Sequence, residues 1–185
     1  VSGRCVGAEA LLRWQDTNQG LLFPSDFLSV AEESGLIAQI GNWTLTQACK
    51  QAKLWEKAGL DALPIVVNIS GLPLKQRNVY HMISRALEAS RLDPRHLEIE
   101  VSERVITKEI AFALNVFGRL HQLGVRVAVK DYGTAYSSLL DLRRLSLDAV
   151  KIDPTLIREV PHNADYTAIV GAITPPLDCI INSRP

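Results

Sequence analysis

The chain has 185 residues, and its 20 Lys and Arg side chains are balanced by 20 Asp and Glu side chains, so its formal charge at pH 7 is zero. Apolar residues make up 47% and charged residues 22%, which are globular proportions that exclude a disordered protein. The balanced charge excludes a strongly basic nucleic-acid binder, so no DNA partner is expected. No apolar run reaches the ~18 residues of a membrane span. The opening residues lack a signal-peptide pattern and the three cysteines lack a C-x-x-C spacing, so we expect a cytoplasmic protein with reduced thiols.

Apolar runs typical of strands alternate with helical patterns along the chain. Strands are predicted at residues 6–14, 64–70, 97–101, 125–129 and 149–153. Helices are predicted at residues 24–33, 43–58, 79–87, 110–120, 139–145 and 164–173. This alternation predicts an α/β protein with a parallel sheet covered by helices, and both an open doubly wound sheet and a β/α barrel fit the pattern. No linker divides the chain, so we interpret it as one domain.

Polar side chains gather where the predicted strands end. In strand order they are Glu9 and Arg13, Asn68 and Ser70, Glu100 and Glu103, Lys130 and Asp131, and Lys151 and Asp153. Because parallel strands bring their carboxyl ends to one edge, we expect these groups to lie close together. One interpretation is a set of buried ion pairs that hold strand ends together. The other is a functional site in which oxygen donors bind Mg²⁺ or Mn²⁺ and act on a phosphodiester, with Arg13 and Lys151 as the available cations.

The residues that carry this pattern also resemble a known family. Residues 9–14, Glu-Ala-Leu-Leu-Arg-Trp, resemble the signature hexapeptide of EAL domains, the bacterial cyclic di-GMP phosphodiesterases. Further family motifs follow in order at residues 24–32, 68–70, 97–103, 131–139 and 151–153. The resemblance implies a modified TIM-type (β/α) barrel, and an enzyme that opens cyclic di-GMP to linear pGpG with two Mg²⁺ or Mn²⁺ ions.

The resemblance also implies a role for each matching residue. Arg13 matches an arginine that contacts the substrate phosphate, and Lys151 matches the catalytic lysine near the attacking water. Glu103 matches the glutamate that anchors the loop after the fourth predicted strand, at residues 131–140, which in the family couples the site to dimerisation. The metal ligands matched by the resemblance are Glu9, Asn68, Glu100 and Asp131.

One departure from the family falls on the metal site itself. The family motif reads Asp-Asp-Phe-Gly-Thr-Gly, whereas residues 130–135 read Lys-Asp-Tyr-Gly-Thr-Ala. Lys130 therefore stands where the family has the aspartate that bridges its two metal ions. An ammonium group in that place repels a divalent cation, so we expect weakened binding of Mg²⁺ or Mn²⁺.

Two further departures concern the ends. We see no counterpart of the family's C-terminal glutamate and glutamine motifs or of its initial strand, so we assign residues 1–173 to a partial EAL-type domain and residues 174–185 to a tail that departs from the pattern. About five parallel strands remain, an incomplete barrel with two exposed edges. We expect the chain either to form a homodimer that covers those edges or to be a piece of the intact architecture, and we expect residues 179–181 to form a short substitute strand.

Three functions stay open on the sequence. The first is a cyclic di-GMP signalling domain with impaired or absent catalysis that keeps part of the nucleotide pocket. The second is an active metal-dependent phosphodiesterase, which the retained carboxylates and Lys151 favour and which Lys130 opposes. The third is a dimerisation scaffold without a ligand.

Overall fold

The structure is a computed structural model in which the chain divides into two compact units, Val1–Glu98 and Ile99–Pro185. It describes residues 5–60, 63–69, 79–133, 144–160, 162, 167–168, 170–171 and 178–181.

Strands and helices alternate along the described residues. The strands are β1 (Ala8–Ala10), β2 (Trp14–Asp16), β3 (Gly20–Leu22), β4 (Ile65–Asn68), β5 (Leu97–Ser102), β6 (Arg126–Tyr132), β7 (Ala149–Ile152) and β8 (Asp178–Ile181). The helices are α1 (Pro24–Glu33), α2 (Ile37–Lys57), α3 (Val79–Ser90), α4 (Glu103–Lys108), α5 (Ile110–Leu123) and α6 (Pro154–Glu159). The predicted α/β class is confirmed, because the five expected strands are present as β1, β4, β5, β6 and β7. None of the described helices combines the length and the apolar character that crossing a membrane requires.

In the first unit, β1 and β4 pair in parallel. Ala8 lies opposite Ile65 and Ala10 lies opposite Val67. Ile65 and Val67 are both buried, and their β-branched side chains suit an extended backbone. The predicted strand at residues 64–70 is therefore present but shorter.

The first predicted strand is wrong in its length, because β1 ends after three residues and Trp14 begins a separate antiparallel hairpin of β2 and β3. Trp14 pairs with Leu22 across this hairpin. The Asp16 carboxylate accepts hydrogen bonds from the backbone N–H groups of Asn18 and Gln19, both at 2.8 Å, and these bonds lower the pKa of Asp16. This local side-chain turn competes with a longer strand and reverses the chain.

Helices α1 and α2 follow the hairpin. The backbone N–H of Phe23 donates to the Asp26 carboxylate at 2.7 Å, which caps α1 at the predicted position. Helix α2 begins at Ile37, six residues before the predicted start at 43, because the buried face of the helix already includes Ile37. Farther along α2, Leu45 and Cys49 are completely buried.

In the second unit, β6, β7 and β8 form parallel pairs. Val129 lies opposite Val150, and Val150 lies opposite Cys179. The short substitute strand expected at residues 179–181 is thereby confirmed, and it covers the outer edge of β7.

A carboxylate holds the amino ends of β6 and β7 together. Asp148 Oδ2 accepts a hydrogen bond from the Val127 N–H at 2.7 Å and lies 2.9 Å from His121 Nε2 at the end of α5. The Asp148 N–H donates in return to the Val127 carbonyl. Side chain and backbone thus fix the start of both strands.

Two short helices, α4 and α6, were not predicted. Each has six residues, too few for a helical stripe to stand out. A start signal for α6 is visible in retrospect, because Asp153 caps the Thr155 N–H at 2.8 Å and Pro154 occupies the first helical position. The helices predicted at 139–145 and 164–173 fall mostly outside the described residues.

Candidate functional site

The first unit brings two predicted metal ligands to one face of its parallel pair. Glu9 lies opposite Val66, and Asn68 follows Val66 by two residues on β4. Paired residues of parallel strands, and residues two apart on one strand, point to the same side of a sheet. Glu9 and Asn68 therefore share a face, with Asn68 at the carboxyl end of β4.

Arg13, the predicted phosphate contact, lies just beyond β1. Its guanidinium carbon stands 4.6 Å from the centre of the Phe23 ring, and its Nη1 donates to the Leu12 carbonyl at 2.6 Å. A planar cation stacked on an aromatic ring keeps its outer N–H groups available for a ligand.

Arg13 also lines a cavity of about 730 Å³ within the first unit. The Trp14 and Phe27 rings meet edge to face at 5.7 Å on its wall, and Trp43 lines it as well. Asp26 adds a polar group to a lining that is otherwise mostly apolar. Aromatic walls with a few polar groups, at this volume, are typical of small-molecule sites. The sequence motifs predicted Arg13 but not the cavity, since the cavity depends on how the hairpin packs against α1 and α2.

In the second unit, the predicted ligand Glu100 is buried and paired. It lies within β5, with its side chain only 2% exposed, and its Oε1 contacts the ammonium group of Lys151 on β7. The Lys151 side chain is 12% exposed. A buried ion pair must be close and well placed to offset the cost of removing both charges from water. The predicted catalytic lysine is therefore engaged with a predicted metal ligand.

Asp131 and Lys130 form a second pair of a carboxylate and an ammonium group. The register of β6 against β7 shifts between Val129 and Tyr132, and Asp131 has a left-handed backbone with φ of 57°. Lys130 Nζ lies 3.8 Å from Asp131 Oδ2, with side chains 26% and 50% exposed. A strand irregularity of this kind turns side chains in a new direction, and such irregularities occur often beside functional sites.

Glu103 reaches the end of β6 from the first turn of α4. The Glu103 side chain is buried, and its Oε2 accepts a hydrogen bond from the Gly133 N–H at 2.9 Å. This is the contact that an anchor of the segment after β6 requires. The rest of that segment, residues 134–143, lies outside the described residues, as do Ser70 and Ala135.

The donor set of the second unit does not fit a divalent cation as it stands. Its two predicted ligands, Glu100 and Asp131, each lie against a lysine ammonium, so the four side chains sum to zero charge. A hard cation needs carboxylate oxygens that are free of competing positive charge. Within the described residues, no group of three or more His, Cys, Asp and Glu side chains is arranged to hold a metal ion. The assignment of Glu9, Asn68, Glu100 and Asp131 as metal ligands stays a prediction.

These features define an α/β protein that carries acidic, amide and lysine side chains on successive parallel strands. The chain belongs to the EAL domain family, because the family model described as "EAL domain" matches residues 1–177.

Two relatives illustrate the family membership. The chain is 41% identical over 172 residues to the bifunctional diguanylate cyclase/cyclic di-GMP phosphodiesterase MucR of Pseudomonas aeruginosa, covering 93% of the chain and 25% of MucR. It is 34% identical over 171 residues to the cyclic di-GMP phosphodiesterase PdeR of Escherichia coli, covering 92% of the chain and 26% of PdeR. The chain thus spans about a quarter of the length of these relatives.

Solved structures agree with this fold. The PaMucR phosphodiesterase in complex with c-di-GMP superposes with a TM-score of 0.86 at 39% identity, over 95% of this chain and 73% of that one. The FimX EAL domain from Pseudomonas aeruginosa bound to c-di-GMP gives 0.79 at 22% identity, over 94% of this chain and 69% of that one, which speaks for the fold alone. The fold is therefore that of the EAL-type β/α barrels, and the open doubly wound sheet is excluded.

Proposed function

We propose that this chain is a cyclic di-GMP signalling domain that binds the dinucleotide but hydrolyses it weakly or not at all. The observation that carries the proposal is the position of Lys130, which stands where the family has an aspartate and places its Nζ 3.8 Å from Asp131 Oδ2. Binding is supported by similarity to MucR, whose solved structure holds c-di-GMP.

The binding half of the proposal depends on the first unit. Arg13 supplies a cation for a phosphate, and the cavity beside it has aromatic walls that suit a purine base. Arg13 also matches the family arginine that contacts the substrate phosphate. We therefore assign Arg13 to ligand binding.

The catalytic half depends on charge in the second unit. Opening a phosphodiester requires a water held for attack and a means of stabilising charge on the phosphate oxygens. Lys151 would hold that water, but its ammonium is engaged by Glu100. Lys130 adds a positive charge beside Asp131, so we propose that Mg²⁺ or Mn²⁺ binds weakly if Glu9, Asn68, Glu100 and Asp131 are its ligands.

Calorimetry with cyclic di-GMP tests the binding half, in EDTA and again in Mn²⁺. We expect heat in both buffers, and weaker binding by about tenfold or more for Arg13→Ala. Arg85→Ala is the matched control, since Arg85 is an exposed arginine on α3 of the same unit. Absence of heat in both buffers would contradict binding.

Chromatography of pGpG tests the catalytic half in the same samples. We expect no release above background in Mn²⁺. Robust release would instead establish the second candidate, an active phosphodiesterase. That candidate is favoured by the 41% identity to MucR and by the retention of Glu9, Glu100, Asp131 and Lys151.

We also propose that the chain forms a homodimer. Several large apolar side chains of the first unit are exposed outside the cavity, among them Leu21, Leu54 and Leu60, and burial against a second copy would remove them from water. Sedimentation velocity over a range of protein concentrations, with and without cyclic di-GMP, measures the association. A single monomeric species at every concentration would exclude it.

A further inference from the structure

The backbone at the end of β6 is held from two sides by hydrogen bonds. The Gly133 N–H donates to Glu103 Oε2 at 2.9 Å, and the Tyr132 carbonyl accepts from the Asp153 N–H at 3.1 Å. Tyr132 and Glu103 are both buried. The position of this backbone is therefore set by α4 on one side and by the residue before α6 on the other.

A third contact comes from α6 itself. Gly133 has φ of +98°, and a Cβ built on it would overlap Leu156 Cδ1. Leu156 lies in the first turn of α6 and is only 4% exposed. The Leu156 side chain thus fills the space that a side chain at residue 133 would take, and it rests against the glycine backbone.

The contact matters because of the residues just before it. Asp131 has a left-handed φ of 57°, which is strained for a residue other than glycine, and the strand register is irregular there. Strained backbone persists only where its surroundings fix it. Gly133 directly follows β6, its N–H donates to Glu103, and Leu156 occupies the space where its Cβ would lie.

We propose that Leu156 is a positioning residue. It packs against Gly133 and thereby holds Lys130 and Asp131 in the part of β6 where the register is irregular and Asp131 is left-handed. Helix α6 and the charged pair are then mechanically linked, so a shift of α6 changes where the Lys130 ammonium and the Asp131 carboxylate lie. This link between α6 and the charged pair does not depend on the proposed function.

Amide hydrogen exchange of the intact chain, followed by NMR, tests the link without any ligand. We expect Leu156→Ala to speed exchange of the Gly133 amide about tenfold or more relative to the Val127 amide, at the far end of β6. Leu120→Ala is the matched control, because Leu120 is fully buried on α5, which ends near Val127. Leu156→Met, which keeps the length of the side chain, should restore slow exchange.

If Leu156→Ala does not fold, the milder Leu156→Val is used instead, and the exchange rate of the Gly133 amide is again compared with that of the Val127 amide. Equal acceleration at Gly133 in the Leu156 and Leu120 variants would overturn the proposal, since it would mean a general loss of stability. A selective acceleration at Gly133 supports it.

The amide resonances of Lys130 and Asp131 are the second readout, because the link predicts that their backbone moves with Leu156. Leu156→Ala should shift both resonances clearly more than Leu120→Ala does, and Leu156→Met should restore them. Unchanged resonances of Lys130 and Asp131 beside faster Gly133 exchange would overturn the link to this pair. If the unmutated chain binds no cyclic di-GMP at all, the proposed function fails, and both NMR readouts still decide the link.

Discussion

The ammonium group of Lys151 contacts the carboxylate of Glu100, and both side chains are almost completely removed from water, although the sequence places them 51 residues apart on β5 and β7. Each charge is tolerated there because of the other. Their mutual dependence has a direct consequence for stability.

Removing either partner should leave a buried charge unpaired. We expect Glu100→Gln and Lys151→Met each to lower the free energy of unfolding by about 3 kcal/mol. The double variant should lose less than the sum of the two, because no uncompensated charge remains. Urea unfolding measures all three, and additive losses would show that the two groups do not interact.

Reversing the charge at residue 130 should change the affinity for a divalent cation. Lys130→Asp removes an ammonium 3.8 Å from Asp131 Oδ2 and adds a carboxylate, so we expect Mn²⁺ to bind about tenfold more tightly or better. Electron paramagnetic resonance of free Mn²⁺ measures this without any turnover. Lys108→Asp, at an exposed position of α4, carries the same charge change as a control and should leave the affinity unchanged.

Two glycines of the second unit should respond to alanine in opposite directions. Gly133→Ala places a Cβ on a backbone with φ of +98° and against Leu156, so we expect a loss of about 2 kcal/mol. Gly118 lies on the exposed side of α5 with open space around it. Gly118→Ala should therefore raise the free energy of unfolding by up to about 1 kcal/mol through its higher helix propensity. Chemical unfolding checks both. A neutral Gly133→Ala would show that Leu156 and the backbone adapt freely.

Two cysteines should differ in reactivity. Cys49 is completely buried in α2, and burial raises the pKa of its thiol to about 12, whereas Cys5 is exposed. Because the thiolate is the nucleophile, iodoacetamide at pH 8 should label Cys5 and spare Cys49 in a Cys179→Ser background. Mass spectrometry reads the labelled peptides, and unfolding in urea should expose Cys49. Rapid labelling of Cys49 in the folded chain would contradict its burial.

Much of the fold follows from patterns that are local in sequence. The β-branched run at Ile65–Asn68 and the capped helix at Pro24–Glu33 were both predicted, because periodicity and capping residues determine such elements. The hairpin that starts at Trp14 was not predicted, since its turn depends on one side chain, Asp16, accepting two backbone hydrogen bonds.

The site divides along the same line. The motifs predicted that Glu100, Lys130, Asp131 and Lys151 belong to one group of polar residues. This was possible because all four lie on or at the ends of predicted parallel strands, which became β5, β6 and β7. Ion pairs that hold strand ends together were one of the two interpretations of the sequence, but the specific pairing of Lys151 with Glu100 was not predicted, because it depends on side-chain reach. The contact between Leu156 and Gly133 could not be predicted, since nothing in the sequence of a short helix shows which residue its leucine contacts.

The strand at Asp178–Ile181 has a consequence for the stability of the second unit. Its four residues pair with all of β7, from Ala149 to Ile152, and so occupy backbone groups that would otherwise be open to a strand of another molecule. A chain cut before Asp178 would expose that row of donors and acceptors. We expect such a truncated chain to unfold at a lower urea concentration, because β7 would lose one of its hydrogen-bonded neighbours.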